Sequence, residues 1–228
     1  MNKELLRRTS KEPTSGATFS PGRIAEQVRR LTPYRITRAV AVDPAPMLQQ
    51  IRINALCDGK RLFMPAAGLV EGFWTLTPYT LPFGALRQAV TPHGIVTCGE
   101  RLTLSGLAGG QIGLLVTNAV AVDQRGVMVA EGKGFFDLTV AILQAAGGLA
   151  ASFAVVAVTG NFLTGETVVD DAQPWDVRAD VVIHPGGTSE IAAARDEPPA
   201  ILWEALPHQR IRRITPLWQL FQQQRKKS

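Results

Sequence analysis

The sequence predicts a three-layer α/β domain, with a mostly parallel sheet covered by helices on both faces. Apolar, β-branched segments alternate with segments of helical spacing along most of the chain. Residues 112–122 form a long apolar segment of the kind found in the middle of a parallel sheet. The chain has 228 residues, of which 46% are hydrophobic, and this is ample for one sizeable core.

The individual elements follow from local signals. Ser20 and Pro21 favour the start of a helix that ends near residue 31. Residues 66–110 hold many Gly and Pro, and they predict loops and short strands. The remaining predicted elements are strands at 36–42 and 61–64, a helix at 46–57 between them, a helix at 135–146, and strands at 153–158 and 179–183.

Composition along the chain suggests three parts. Residues 1–22 predict a loose basic N-terminal segment, and residues 23–197 predict the α/β domain itself. Residues 198–228 predict a C-terminal extension that packs on the domain and ends in a basic tail. The apolar and aromatic residues that would make this contact are Trp203, Leu206, Ile211, Ile214, Leu217, Trp218 and Phe221.

The net charge of +5 is located at the two ends of the chain, which leaves about −1 for the body. A nucleic-acid partner is therefore not favoured, although RNA binding through the basic ends stays open.

The apolar run at 140–158 is interrupted by Gln144, Gly147 and Gly148, which indicates buried core and no membrane partner. With only Cys57 and Cys98, we expect a cytoplasmic protein with buried or idle thiols. A homo-oligomer is compatible with the sequence.

The glycine-rich segment at 123–137 is where the sequence suggests chemistry. Gly132 and Gly134 permit close approach of the backbone to an anion, and Lys133 supplies a cation. Asp137, in the first turn of the following helix, could hold Mg²⁺. From these residues alone, a phosphate site and an ordinary strand-to-helix loop remain equally open.

His93, His184 and His208 are scattered without metal or triad spacing, which favours structural or surface roles.

Four segments together resemble a known family. Residues 114–126 (LLVTNAVAVDQRG) and 131–137 (EGKGFFD) look like the signature of the 5-formyltetrahydrofolate cyclo-ligase family. Residues 59–65 (GKRLFMP) and 175–183 (WDVRADVVI) are similar to two further elements of that family. Within it, DLTVA at 137–141 and PAILW at 199–203 resemble the synthetase domain-containing branch.

The resemblance implies an ATP- and Mg²⁺-dependent conversion of 5-formyltetrahydrofolate to 5,10-methenyltetrahydrofolate, or a related reaction on a small-molecule folate. By position, it implies phosphate contacts for Gly132, Lys133 and Gly134, with Lys133 as the catalytic residue. It implies Mg²⁺ ligands at Asp137 and Asp180. The aromatic residues that it implies would pack on folate or adenine are Phe135 and Phe136, which stand at the family's tyrosine positions.

The chain also departs from the family pattern. Met128 stands where the family has an arginine, Ala130 replaces a glycine, and Glu131 occupies a position that is often basic. Asp43 is the nearest acid to the family's substrate-binding glutamate. Because Met128 and Glu131 remove positive charge from a phosphate site, we expect ATP and Mg²⁺ to bind weakly. The alternative function is a catalytically silent family member that binds a ligand or a protein partner on the same scaffold.

Overall fold

The structure is a computed structural model that describes residues 1–9, 19–130, 133–165, 167–192 and 200–227. The helices within these residues are α1 Lys3–Thr9, α2 Pro21–Arg30, α3 Thr32–Ile36, α4 Gln49–Cys57, α5 Phe83–Ala89, α6 Pro92–Cys98, α7 Leu104–Leu107, α8 Phe135–Ala145, α9 His208–Arg213 and α10 Thr215–Lys227. Single turns of 3-10 helix cover Pro46–Leu48, Ala67–Leu69 and Trp203–Ala205.

The strands form one large sheet and one small sheet. They are β1 Ala39–Val42, β2 Arg61–Pro65, β3 Phe73–Leu76, β4 Glu100–Leu102, β5 Ile112–Ala119, β6 Ala121–Asp123, β7 Met128–Val129, β8 Leu149–Thr159, β9 Phe162–Leu163, β10 Val181–His184 and β11 Gly187–Glu190. The eight-stranded sheet has the order β11-β10-β8-β5-β1-β2-β3-β4, and the three-stranded sheet has the order β7-β6-β9. In the large sheet β10, β8, β5, β1 and β2 run parallel, while β2 with β3, β3 with β4, and β10 with β11 form antiparallel pairs at the two edges.

The two faces of the large sheet are covered by different helices, which confirms the predicted three-layer α/β fold. Successive side chains of a strand point to opposite faces. Ala39 and Ala41 of β1 accordingly pack in the core formed with α8, α9 and α10. Val40 and Val42 pack in the core formed with α2 and α4.

Three predicted elements have different boundaries in the structure. The strand expected at 36–42 begins only at Ala39, because Pro33 is at the start of α3, and Ile36 is 77% exposed. The apolar segment at 112–122 is interrupted at Val120, so β5 and β6 belong to different sheets. The segment at 66–110 contains α5, α6 and α7 as well as strands. Thr91 and Thr103 cap α6 and α7 by accepting backbone N–H groups, a signal that the glycine content obscured.

Both ends of the described chain pack against the domain. The N-terminal residues were predicted to be loose, but α1 is helical and Leu6 is only 1% exposed. Leu6 packs with Ala121, Val127, Val129 and Val169 in a small separate core. Residues 10–18 of the predicted loose segment lie outside the described residues. In the C-terminal extension, the residues buried in the main core are Ile211, Ile214 and Leu217.

Two further expectations concern the membrane and the thiols. Across the residues that the structure describes, none of the helices combines the length and the apolar character needed to cross a bilayer. Cys57 and Cys98 are free thiols, and both are exposed where buried thiols were one expectation.

Candidate functional site

The candidate site lies at the carboxyl edge of the parallel strands, as expected for an open α/β sheet. A cavity of about 320 Å³, here called the main cavity, opens there. Asp43 lines it directly after β1, Pro65 at the end of β2, and Thr117 and Asn118 near the end of β5. Its other wall comes from the start of α8, where the lining residues are Lys133, Gly134, Phe135, Phe136 and Thr139.

Asp43 is the carboxylate of the main cavity. The Thr117 hydroxyl donates a hydrogen bond to its Oδ2, and this favours the ionised form. Removal from water acts more strongly in the other direction and raises the pKa of Asp43 to about 6. A carboxyl group whose pKa lies so close to neutrality, next to a cavity, is typical of a functional site.

Arg52 fixes the backbone around Asp43. Its side chain is 1% exposed, and its guanidinium donates to three backbone carbonyls. Nη1 lies 2.5 Å from Asp43 O and 3.0 Å from Ala45 O, and Nε lies 2.8 Å from Val90 O. Burial lowers the pKa of Arg52 to about 10, so the guanidinium is protonated at neutral pH. One buried cation thus holds the strand end that presents Asp43.

The raised pKa of Asp43 predicts a pH-dependent cost to stability. Between about pH 4 and pH 6 the folded protein binds a proton that the unfolded chain has released, so stability falls as pH rises through this window. Asp43→Asn should therefore raise the free energy of unfolding at pH 7, by at most about 3 kcal/mol. In this variant, the free energy of unfolding should not fall between about pH 4 and pH 6 as it does in the wild type. Urea unfolding of both proteins from pH 4 to pH 7 measures this, with the exposed Glu100→Gln as control. A stability difference that does not change with pH would contradict the prediction.

The first half of the glycine-rich segment has a structural role. Asp123 is fully buried, and its Oδ1 accepts the backbone N–H groups of Arg125 and Val127, both at 3.0 Å. Its Oδ2 accepts the N–H of Val169 at 3.1 Å. Gly126 has φ 77°, and a Cβ there would lie 2.4 Å from the carbonyl oxygen of Ala179. This turn positions β7 and the residue that follows it, Ala130, which lines the main cavity.

The second half of the segment begins α8 at the main cavity. Gly134 precedes the helix in the left-handed conformation, with φ 58° and ψ 30°. Phe135 lies against Gly68, where a Cβ would be 3.5 Å from its ring. Lys133 is exposed and Phe136 is buried, and both line the main cavity. Gly132 and Glu131, which were also singled out in the sequence, lie outside the described residues.

A second cavity of about 200 Å³, here called the acidic cavity, adjoins the main cavity at Ala130 and Gly134. Among the described residues, the carboxylates of Asp137, Asp171 and Asp176 line it, together with the cations Lys3 and Arg7 of α1. Lys3 is buried and forms an ion pair with Asp176. Arg7 Nε donates to the carbonyl oxygen of Ala130 at 2.8 Å.

The sequence did not assign Lys3 and Arg7 to the site, because they lie far upstream in the segment that was predicted to be loose. The available signal was their spacing of four residues, which places both on one face of a helix. Met128 also lines the acidic cavity and is 8% exposed, so the strand β7 offers an apolar side chain there and no cation.

Asp137 and Asp180 have different surroundings. The Oδ1 atom of Asp137 accepts the backbone N–H of Val177 at 2.9 Å, and burial, together with the nearby charge of Asp176, raises its pKa. The Oδ2 atom of Asp180 accepts the N–H of Val155 within β8 at 2.6 Å. Asp137 lines the acidic cavity, and Asp180 does not. Among the described residues, no three His, Cys, Asp or Glu side chains are grouped so that they could hold a metal ion.

The C-terminal extension adds a third cavity, of about 140 Å³, here called the extension cavity. Gly134, Asp137 and Trp175 line it on one side, and Ile201, Leu206 and other residues of the extension line it on the other. The extension also supplies Arg210, whose Nη2 donates to the carbonyl oxygen of Lys133. The guanidinium lies 5.2 Å from the centre of the Phe135 ring.

The fold and the site define a three-layer α/β protein with a cavity at the carboxyl edge of its parallel strands and a glycine-containing helix start beside it. Residues 3–185 match the 5-formyltetrahydrofolate cyclo-ligase family, and the chain belongs to that family. This confirms the resemblance found in the sequence.

Individual relatives agree with this assignment. The chain is 25% identical over 183 residues to the human methenyltetrahydrofolate synthase domain-containing protein, covering 78% of this chain and 46% of the relative. It is 26% identical over 199 residues to the Danio rerio protein of the same name, covering 85% of this chain and 51% of the relative. The chain thus spans about half the length of these curated relatives.

A solved structure confirms the fold. The NMR structure of Aquifex aeolicus 5,10-methenyltetrahydrofolate synthetase superimposes with a TM-score of 0.54 at 21% sequence identity. The superposition covers 86% of this chain and 96% of that chain.

Proposed function

We propose that this protein binds a 5-formyltetrahydrofolate-type substrate and ATP with Mg²⁺, and forms 5,10-methenyltetrahydrofolate or a closely related product. The observation that supports this most directly is the junction between the main and acidic cavities. Ala130 and Gly134 line both, so a folate in the larger cavity and the phosphates of a nucleotide in the smaller one would meet there. Phosphoryl transfer between two substrates depends chiefly on such positioning.

The main cavity has suitable groups for a reduced folate. A pterin ring presents N–H donors at one edge, and Asp43 is a carboxylate acceptor that lies in the cavity wall. Phe135 and Phe136 offer apolar ring surface, against which an aromatic or pterin ring can pack. Lys133 provides a cation for anionic groups at the same wall.

The proposed reaction solves a leaving-group problem, since an amide oxygen leaves poorly. The formyl oxygen attacks the γ-phosphorus of ATP, and the bond from that phosphorus to the bridging oxygen breaks, so that ADP leaves with the electron pair. N10 of the folate then attacks the formyl carbon and loses its proton to solvent. The carbon–oxygen bond breaks, inorganic phosphate leaves, and the carbon bridges N5 and N10. The protein contributes by placing both substrates and neutralising charge.

Asp137 fits the Mg²⁺ ion that this reaction implies. Proteins commonly bind Mg²⁺ through one or two carboxylates, while substrate phosphates and water complete the shell. Asp137 lines the acidic cavity beside Gly134, as such a ligand must. The ion would neutralise phosphate charge there. Because Asp180 does not line this cavity, the proposal for the metal rests on Asp137 and omits Asp180.

The catalytically silent alternative is favoured by the charges of the acidic cavity. Counting the described residues, three carboxylates face two cations there, and Lys3 is already paired with Asp176. A triphosphate without Mg²⁺ would be repelled by this cavity. In this alternative the main cavity still binds a small molecule, and no phosphoryl transfer follows.

Incubation with 5-formyltetrahydrofolate and MgATP distinguishes the two functions. We expect formation of the methenyl product, followed by its near-ultraviolet absorbance, together with one ADP for each product molecule. Asp43→Asn should lower kcat/KM for the folate by about tenfold or more, because a charged acceptor in the main cavity is lost. The exposed Glu100→Gln should leave it unchanged. Folate binding by calorimetry without any product or ADP would instead support the silent alternative.

A further inference from the structure

Gly134 is the point at which the three cavities meet, because it lines the main, acidic and extension cavities alike. Arg210 is the cation that approaches this point from α9. Its Nη2 lies 4.0 Å from the position that a Cβ on Gly134 would occupy, and it donates to the carbonyl oxygen of Lys133. Arg210 itself lines the extension cavity, so the C-terminal extension places a guanidinium beside Gly134, the glycine at which that cavity meets the acidic cavity where phosphates of a nucleotide would lie.

The acidic cavity needs a further cation if it is to hold phosphates. The charge of Lys3 is already engaged by Asp176. Arg7 keeps its charge, with Nε donating to Ala130 O, and it alone cannot balance the remaining carboxylates of the described lining together with a phosphate. Met128 contributes only a neutral side chain to the same wall. The carboxylate of Asp137 would repel an adjacent phosphate unless positive charge were placed next to both.

Arg210 has the properties that this position requires. Within the described part of the chain, it takes part in none of the ion pairs closer than 4.0 Å. A guanidinium carries N–H donors beyond the one that Lys133 uses, in a fork that matches phosphate oxygens. The Phe135 ring at 5.2 Å supports its orientation. Burial lowers the pKa of Arg210, and the nearby charge of Asp137 acts in the opposite direction and favours the protonated form.

We propose that Arg210 binds the phosphates of the nucleoside triphosphate at Gly134, so that nucleotide affinity depends on the C-terminal extension. The residue lies beyond residues 3–185, which match the family. This inference rests on the proposed function, because it assigns a phosphate-binding residue to the same site.

Arg210→Gln, compared with the wild type and with Arg213→Gln, tests the inference. Arg213 is an exposed arginine of the same helix, so the two variants lose the same charge from neighbouring positions. We expect Arg210→Gln to weaken MgATP binding at least tenfold by calorimetry, because a charge-assisted contact to phosphate is lost. Arg213→Gln should change it less than twofold. The affinity for 5-formyltetrahydrofolate should be the same in all three proteins.

Two further readouts separate phosphate binding from a structural role. If the contact with the carbonyl oxygen of Lys133 were purely structural, its loss in Arg210→Gln would lower the free energy of unfolding in urea and the folate affinity as well, whereas loss of a phosphate contact lowers the MgATP affinity alone. The dependence of MgATP affinity on salt should also become shallower in this variant, since part of the lost attraction is screened Coulomb energy.

The outcomes distinguish this inference from the proposed function on which it rests. If the wild type binds MgATP and both glutamine variants bind it equally well, the role of Arg210 is overturned while the proposed function stands. Parallel losses of folate and MgATP affinity in Arg210→Gln would also overturn it, by showing a structural role. If the wild type binds no MgATP, the proposed function and the inference both fail.

Discussion

Arg52→Met is expected to lower the free energy of unfolding by about 3 kcal/mol or more. The substitution keeps an unbranched side chain but removes every donor of a guanidinium that is 1% exposed. The carbonyl oxygens of Asp43, Ala45 and Val90 would each lose a partner in the interior. An unsatisfied buried acceptor costs about 1–3 kcal/mol, and the loss is reduced where water from the main cavity can replace the donor.

The matched control is Arg30→Met, which removes an exposed arginine from the end of α2. Its effect should stay within about 0.5 kcal/mol, as is usual for surface substitutions. Urea unfolding of the wild type and both variants provides the comparison. Equal stabilities of the two variants would show that Arg52 does not hold the three carbonyls as described.

Arg52→Met should also affect the site, because the same guanidinium fixes the backbone of Asp43. In the folded fraction of the variant, the affinity for 5-formyltetrahydrofolate should fall, while that for MgATP should change less. Asp43 lines the main cavity and not the acidic one. Stability and folate binding are thus linked through one buried cation.

Periodicity in the sequence was sufficient to predict the central part of the fold. The alternation of apolar segments and helices predicted β2, α8 and β10 close to their observed positions, because each buries a continuous apolar surface, while β8 begins at Leu149, four residues before the predicted strand. The edge of the sheet was less predictable. Short elements such as α6 depend on a single cap, here Thr91, more than on any periodic pattern.

The candidate site was predictable only where its residues are contiguous. Gly134, Phe135, Phe136 and Asp137 follow one another at the start of α8, so a local motif was enough to find them. Arg210, in contrast, contacts Lys133 across 77 positions of sequence. No local pattern encodes a contact of that range, since it depends on how the extension packs on the finished domain.

Local sequence patterns were equally insufficient to predict which carboxylates line the acidic cavity. Asp180 was predicted as a metal ligand from its place in the family pattern, whereas Asp176 lines the cavity with Asp137. The two acids lie four residues apart, and Asp176 precedes the strand in a segment of turns. Without regular structure, spacing alone does not determine which side chain reaches a cavity.

The N-terminal segment gives the clearest difference between sequence and structure, and Leu6→Ala tests it. Basic residues suggested a solvated tail, but Leu6 is 1% exposed and packs with Ala121, Val127, Val129 and Val169. Truncation of a buried leucine usually costs about 2–5 kcal/mol, and a small core near the surface favours the lower half of that range. We therefore expect Leu6→Ala to lower the free energy of unfolding by about 2–3 kcal/mol.

The neighbouring Leu5→Ala is the control, because Leu5 is 49% exposed on the same helix and the same atoms are removed. Its loss should be below about 1 kcal/mol. Leu6→Ala should also weaken MgATP binding, since α1 presents Lys3 and Arg7 to the acidic cavity and its docking depends on Leu6. Unfolding in urea and calorimetry with MgATP measure the two effects. If both leucine variants match the wild type in stability, α1 is not docked, and the basic segment behaves as the solvated tail that its charges alone predicted.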